Sequence, residues 1–201
     1  MKLLDCSAAA LAEAAEALRA GEIVVYPTET VYGLAVDPFS EAALEKLFAA
    51  KGRDDGNPIL LIVNDPAQLG AVVREVSPPA KTCMNAFWPG PLSLLFPRNP
   101  ELPNRLTAGG DRICVRCPAS GVARGLCHAF GGAVTSTSAN PSGETPAVDL
   151  TNFDLPGVAT GIDGGALPPS APSTVYDPDA KRVLRAGAVS EEALAAVMER
   201  L

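Results

Sequence analysis

The chain has 201 residues, 47% hydrophobic and 19% charged, a balance that suits one folded domain spanning 1–201 and excludes an intrinsically disordered chain. No apolar run approaches the roughly 20 residues needed to span a bilayer. A net charge of −7 argues against the basic footprint of a dedicated nucleic-acid binder, so the cations must act through convergence in one cleft.

Leu3-Leu4-Asp5-Cys6 has the outline of a lipoprotein cleavage site, but the apolar run before Cys6 is too short for an export signal. The segment reads as part of the first helix, and the protein as cytoplasmic. Apolar positions recur at helical spacing from Ser7 to Ala20, and Gly21 stops the run. Ile23 to Tyr26 is a β-branched and aromatic strand, ended by Pro27. Glu41 to Ala50 predicts a helix with Leu44, Leu47 and Phe48 on one face and Ser40 as N-cap. Ile59 to Val63 reads as a buried strand. Pro66 to Val76 and Pro79 to Phe87 read as two helices with proline near the first turn. Strands follow at Leu92 to Phe96 and Ile113 to Arg116, then a helix at Gly121 to Phe130 and a strand at Ala133 to Thr137. Past Asn140 the chain turns rich in Pro, Gly, Ser and Asp, with short apolar runs at Val158 to Ile162, Val175-Tyr176 and Val183-Leu184. Ser190 starts a last helix to Leu201. Helices alternate with strands, so the class is α/β or α+β with a mixed sheet.

Five cysteines do not form a small disulfide scaffold. Cys114 and Cys117, followed by Cys127-His128, are the one hint of a metal site. Residues three apart on a strand face opposite sides, and a structural zinc needs four convergent ligands. His128, the single histidine, reads as an ordinary helix residue, which leaves no Ser-His-Asp constellation. No Walker A or dinucleotide fingerprint is present.

Polar segments sit at strand or loop ends, where rigid elements can aim them at a ligand. Lys51 and Arg53 flank Gly52 after a helix, and could simply complement a helix C-terminus. Ser138 and Asn140 could simply make the turn before Pro141. Taken together and in order, the segments say more. They are Pro-Thr-Glu-Thr-Val-Tyr-Gly-Leu at 27–34, Lys-Gly-Arg at 51–53 with Asn-Pro at 57–58, and Trp-Pro-Gly-Pro-Leu at 88–92. Then come Arg-Cys-Pro at 116–118, Thr-Ser-Ala-Asn-Pro-Ser-Gly at 137–143, Asp-Gly-Gly at 163–165, Ser-Thr-Val at 173–175 and Leu-Arg-Ala-Gly at 184–187. This series resembles the YrdC/TsaC family of threonylcarbamoyl-AMP synthases, over about residues 8 to 190, in its short form without a further C-terminal domain.

The resemblance implies an α/β fold with a twisted mixed β-sheet and flanking helices around a large, positively lined concave cavity. It implies L-threonine, bicarbonate and ATP as substrates and threonylcarbamoyl-AMP and pyrophosphate as products. The adenylate then feeds a partner complex that modifies N6 of adenosine 37 in tRNA. It implies a catalytic tetrad of Lys51, Arg53, Ser138 and Asn140. It implies threonine contacts from Thr30, Arg116, Ser136 and Ser173, with Thr28 and Tyr32 shaping the same wall. Nucleotide contacts would come from Arg53, Asn57, Ser138, Pro146 and Arg185, with Mg²⁺ carried on the ATP phosphates and no ligand from the protein. Both reactants are anionic, so cations and positioning should dominate over covalent catalysis. Departures from the family pattern are Asp54 for a frequent proline, Ile62 where some members carry a threonine-contacting histidine, and Ser93 for a usual threonine. Two rival readings are a non-catalytic RNA-binding module and a paralogue of the same fold with another nucleotide-linked activity.

Overall fold

The computed structural model describes residues 1–52 and 56–199; Arg53 and Asp54, singled out above, lie outside them. The strands among the described residues are β1 (Lys2–Leu4), β2 (Ile23–Pro27), β3 (Tyr32–Ala35), β4 (Leu60–Ile62), β5 (Leu92–Pro97), β6 (Arg112–Arg116), β7 (Val134–Ser138), β8 (Val158–Ile162), β9 (Thr174–Asp177) and β10 (Arg182–Arg185). They form one sheet in the order β1-β8-β2-β3-β7-β4-β6-β5-β9-β10. The sheet is mixed: β8 runs parallel to β1 and β2, β4 to β6 and β5 to β9, and the remaining neighbours are antiparallel.

The helices are α1 (Ala8–Arg19), α2 (Glu41–Lys51), α3 (Pro78–Phe87), α4 (Gly121–Phe130) and α5 (Glu191–Met198). Each starts after a serine, Ser7, Ser40, Ser77, Ser120 or Ser190, whose hydroxyl accepts the backbone N–H three residues on. That bond satisfies a donor that the first turn would otherwise leave open. No helix among the described residues is long and apolar enough to cross a membrane.

Two local readings change, and a further strand lies at the end of the 27–34 segment. Leu3 and Leu4 belong to β1, which pairs with β8 from Lys2↔Thr160 to Leu4↔Ile162, and α1 begins only behind the Ser7 cap. Pro66 to Val76 is not an α-helix. A 3₁₀ helix covers Pro66–Ala71, and beyond it the end of β5 captures the backbone: Arg74 N–H donates to Pro97 and Asn99 N–H to the Val72 carbonyl. Residues 32–35 form a strand inside the sheet, because β2 and β7 flank them and bury every one.

Side chains alternate along these strands, and the alternation divides the core. On one face α2, α3 and α5 cover Val25, Leu34, Leu61, Leu94, Ile113 and Val115 through Leu44, Leu47, Cys83, Met84 and Leu194. On the other, α1 and α4 cover Val24, Tyr26, Ala35 and Val134 through Ala14, Leu18, Ala123 and Leu126. That second layer stops short of β5 and β9. The uncovered part of the face is the floor of a cavity.

Candidate active site

The cavity has a volume of about 900 Å³, at the large end for a small-molecule site. Its floor is made by alternate residues of four neighbouring strands: Ser136 and Ser138 of β7, Leu60 of β4, Arg112, Cys114 and Arg116 of β6, and Ser93 and Leu95 of β5. The β2–β3 turn forms one wall with Thr28, Thr30 and Tyr32. The opposite wall holds Ser173, Val175, Leu184 and Arg185. Among the described residues Arg112, Arg116 and Arg185 line it with one carboxylate, Asp111. Arg112 also pairs with Asp177 and Asp179, and Arg116 with Glu29, so in a chain of net charge −7 guanidinium groups nonetheless converge on this cleft.

The turn is built by Thr28. Its hydroxyl donates to the Val31 carbonyl at 2.7 Å and accepts the N–H of Thr30 at 3.1 Å; such a hydroxyl-closed turn fixes the backbone locally. Thr28 and Thr30 hydroxyls lie 3.0 Å apart. Tyr32 donates to the Gly165 carbonyl at 2.8 Å and accepts Gly164 N–H at 2.9 Å, which fastens the Asp-Gly-Gly segment to the hairpin. Beside the floor, under α1 and α4, the Tyr26 hydroxyl donates to Ser136 Oγ at 2.7 Å. To do so its ring crosses Gly33 on the intervening strand, where a Cβ would stand 3.1 Å from the phenol.

The tetrad residues are partly assembled. Ser138 lines the cavity. Lys51, buried at the end of α2, donates its ammonium to the carbonyls of Ser138 and Asn140, both at 2.6 Å, and lies 3.4 Å from Asn140 Oδ1. Asn140 Nδ2 donates to the Glu144 carbonyl at 2.6 Å. Lys51 and Asn140 thus meet behind the 138–140 turn and are not among the residues lining the cavity wall. Arg53 lies outside the described residues. Of the proposed threonine contacts, Thr30, Arg116, Ser136 and Ser173 all face the one cavity. Of the nucleotide contacts, Ser138, Pro146 and Arg185 do, whereas Asn57 is exposed beside it, next to the lining residue Pro58.

Arg185 donates to the Ser173 carbonyl at 2.9 Å and to its hydroxyl at 3.0 Å, and that hydroxyl lies 2.9 Å from Ser93 Oγ. Gly187 makes this approach possible, because a Cβ there would stand 2.3 Å from the Pro172 carbonyl. Ser93, a departure from the resemblance, therefore supports Ser173 directly. Ile62 packs fully buried under α4 rather than against the cavity, so it offers no contact in place of a histidine.

Cysteine chemistry is not part of this arrangement. Cys114 faces the cavity, and burial pushes its thiol up to about 12, against the opposing pull of Arg185 and Arg116; it stays a thiol at neutral pH and is a poor nucleophile. Cys114 lines the cavity and Cys117 does not; Cys117 donates to the Asn64 carbonyl and Cys127 to that of Ile62, and among the described residues no group of three or more His, Cys, Asp or Glu could hold a metal ion. Arg112 and Asp111 were not recognised from the sequence. The signal was present for Arg112: it lies four residues before Arg116 on one strand, and so shares its face.

The Sua5/YciO/YrdC family model, described as telomere recombination, matches residues 16–187. A threonylcarbamoyl-AMP synthase of Methylococcus capsulatus is 46% identical over 67% of this chain and 72% of its own length. One from Thiobacillus denitrificans is 38% identical over 84% of this chain and 91% of its own. Among solved structures, P. abyssi Sua5 complexed with L-threonine superposes with a TM-score of 0.92 at 31% identity, over 98% of this chain and 61% of that longer one. With the motif order, the mixed sheet and the arginine-lined cavity all in agreement, the chain belongs to the Sua5/YciO/YrdC family.

Proposed function

We propose that this chain is an L-threonylcarbamoyladenylate synthase, a nucleotidyltransferase that converts L-threonine, bicarbonate and ATP to threonylcarbamoyl-AMP and pyrophosphate. The observation that carries the reading is the shared cavity. Thr30, Arg116, Ser136 and Ser173 open into the same 900 Å³ space as Ser138, Pro146 and Arg185, so an amino acid and a nucleotide can meet there. Relatives named as threonylcarbamoyl-AMP synthases support it.

The reaction joins two anions. Threonine's amino nitrogen bonds to the bicarbonate carbon, the carbon's hydroxyl leaves as water with a proton from that nitrogen, and an oxygen of the resulting carbamate attacks the α-phosphorus of ATP. The new O–P bond replaces the bond to the bridging oxygen, and pyrophosphate leaves with that electron pair. The barrier is charge repulsion and orientation, so fixed cations and hydroxyls are the catalytic means. Arg116 takes the threonine carboxylate, for which a guanidinium offers paired donors. Ser136, Ser173 and Thr30 orient the rest of the amino acid. Ser138, Asn57, Arg185 and the backbone at Pro146 hold the nucleotide, and Arg53 joins them at the phosphates. Lys51 and Asn140 brace the turn that presents Ser138, and Lys51 adds positive charge behind it.

Mg²⁺ arrives with ATP as part of that substrate and neutralises phosphate charge. Among the described residues no group of three or more His, Cys, Asp or Glu could hold a metal ion, and this donor set fits an ion resting on substrate oxygens and water. The adenylate passes to a cytoplasmic transfer complex that carries the threonylcarbamoyl group to N6 of adenosine 37 in tRNA. The decisive assay is mass-spectrometric detection of the adenylate with pyrophosphate release. Release must require threonine, bicarbonate and ATP together; release without threonine or without bicarbonate rejects the reading.

A further inference from the structure

We infer that Glu29 is a positioning residue for the amino-acid end of the site: it holds the Arg116 guanidinium from behind, outside the cavity, so that its remaining donors face the substrate. This rests on the reading that Arg116 takes the threonine carboxylate.

The argument begins with burial. Arg116 is only 3% exposed, and a buried guanidinium needs a counter-charge. Its ionic partner among the described residues is Glu29, with Nη1 to Oε1 at 3.4 Å. That distance is well beyond the roughly 2.7–2.9 Å of a tight charge-assisted bond. The Nε of Arg116 and the Oε2 of Glu29 are both buried without a hydrogen-bond partner. A salt bridge formed only to stabilise the fold would close these two groups on each other. Here the pair is held apart, and the arginine keeps donors for a further anion.

The carboxylate is itself anchored. Glu29 Oε1 accepts the N–H of Ala119 at 3.1 Å, just past the end of β6 that carries Arg116. Its backbone belongs to the turn closed by Thr28. Thr28 and Thr30 on either side line the cavity, and Glu29 does not. One side chain therefore ties the threonine-bearing turn to the arginine-bearing strand and sets the spacing between Thr30 and Arg116.

Two physical roles predict opposite signs. If Glu29 only neutralised Arg116, its removal would strengthen the pull on a carboxylate and lower the KM for threonine. If it positions Arg116, removal lets the guanidinium drift and raises that KM. We expect Glu29→Gln to raise the KM for threonine on the order of ten-fold, with the KM for ATP and kcat each within about two-fold. Glu29→Asp, which keeps the charge but withdraws it by one methylene, should fall between. Glu29→Gln combined with Arg116→Ala should be no worse for threonine than Arg116→Ala alone, because one residue acts through the other. An unchanged or lowered threonine KM in both Glu29 variants, or an equal rise for threonine and ATP, overturns the inference. Arg116→Ala separates the two claims: if it leaves threonine binding unchanged in calorimetry, the carboxylate assignment itself is wrong.

Discussion

Replacing Lys51 with methionine tests whether its ammonium acts through the protein, through the substrate, or through both. The stem is kept and the ammonium removed, so the carbonyls of Ser138 and Asn140 lose donors at 2.6 Å. Hydrogen bonds to a charged group contribute about 1.5–3 kcal/mol each, and the two together about 3–6 kcal/mol. Part of this is offset, since the variant no longer buries an ammonium, a cost of several kcal/mol in the folded protein. A net destabilisation of about 2 kcal/mol remains, which for a domain of this size lowers Tm by about 4–8 °C. If Lys51 also supplies positive charge to the transition state, kcat for pyrophosphate release should fall at least about 100-fold, or about 2.7 kcal/mol. The assay is coupled pyrophosphate release alongside thermal unfolding. A variant with lowered Tm but activity within about three-fold of the parent makes Lys51 a structural pin and refutes its catalytic role. An unchanged Tm refutes the claim that the turn depends on it.

Gly187→Ala should destabilise the chain by about 1–3 kcal/mol, because its Cβ would stand 2.3 Å from the Pro172 carbonyl; it should also weaken ATP binding as Arg185 is pushed off Ser173, which calorimetry would register. Tyr26→Phe removes the one bond to Ser136 Oγ and should cost about 1 kcal/mol, visible as a Tm shift of a few degrees with the KM for ATP unchanged. Burial raises the Cys83 and Cys117 thiols to about 11 and Cys114 to about 12, from an ordinary 9.0. The unfolded chain therefore loses these protons first, and folding stability should be full below about pH 9 and decline as pH rises toward 11–12. Cys114→Ala should flatten part of that decline in urea titrations, and retain activity at pH 7.

Much of the fold was legible because its signals are local. Apolar residues at helical spacing announce α1 and α2, Ser40 marks the start of α2 and Ser190 that of α5, and a proline near the first turn marks α3, whatever surrounds them. The β-branched runs at Ile23 to Tyr26 and Ile113 to Arg116 announce buried strands in the same way. Residues 32–35 were less legible: Tyr32 favours a strand but Gly33 and Ala35 do not, and β3 forms because β2 and β7 bond it on both sides. Lys2–Leu4 pairs with a strand more than 150 residues away, and no local pattern encodes such a partner.

The candidate site divides along the same line. Residue types and their order along the chain determined which chemistry is available: hydroxyls, amides and cations suited to anionic substrates, with no thiolate or histidine nucleophile among them. Which side chains reach the cavity was decided by tertiary structure alone. Strand pairing sets the register that turns Arg112, Cys114, Arg116, Ser136 and Ser138 to the same face, and the limited reach of α1 and α4 leaves that face open. Lys51 and Asn140 ended behind the wall and Glu29 behind Arg116. Such placements depend on contacts between segments about 90 residues apart, whose geometry exists only once the chain has closed its loops.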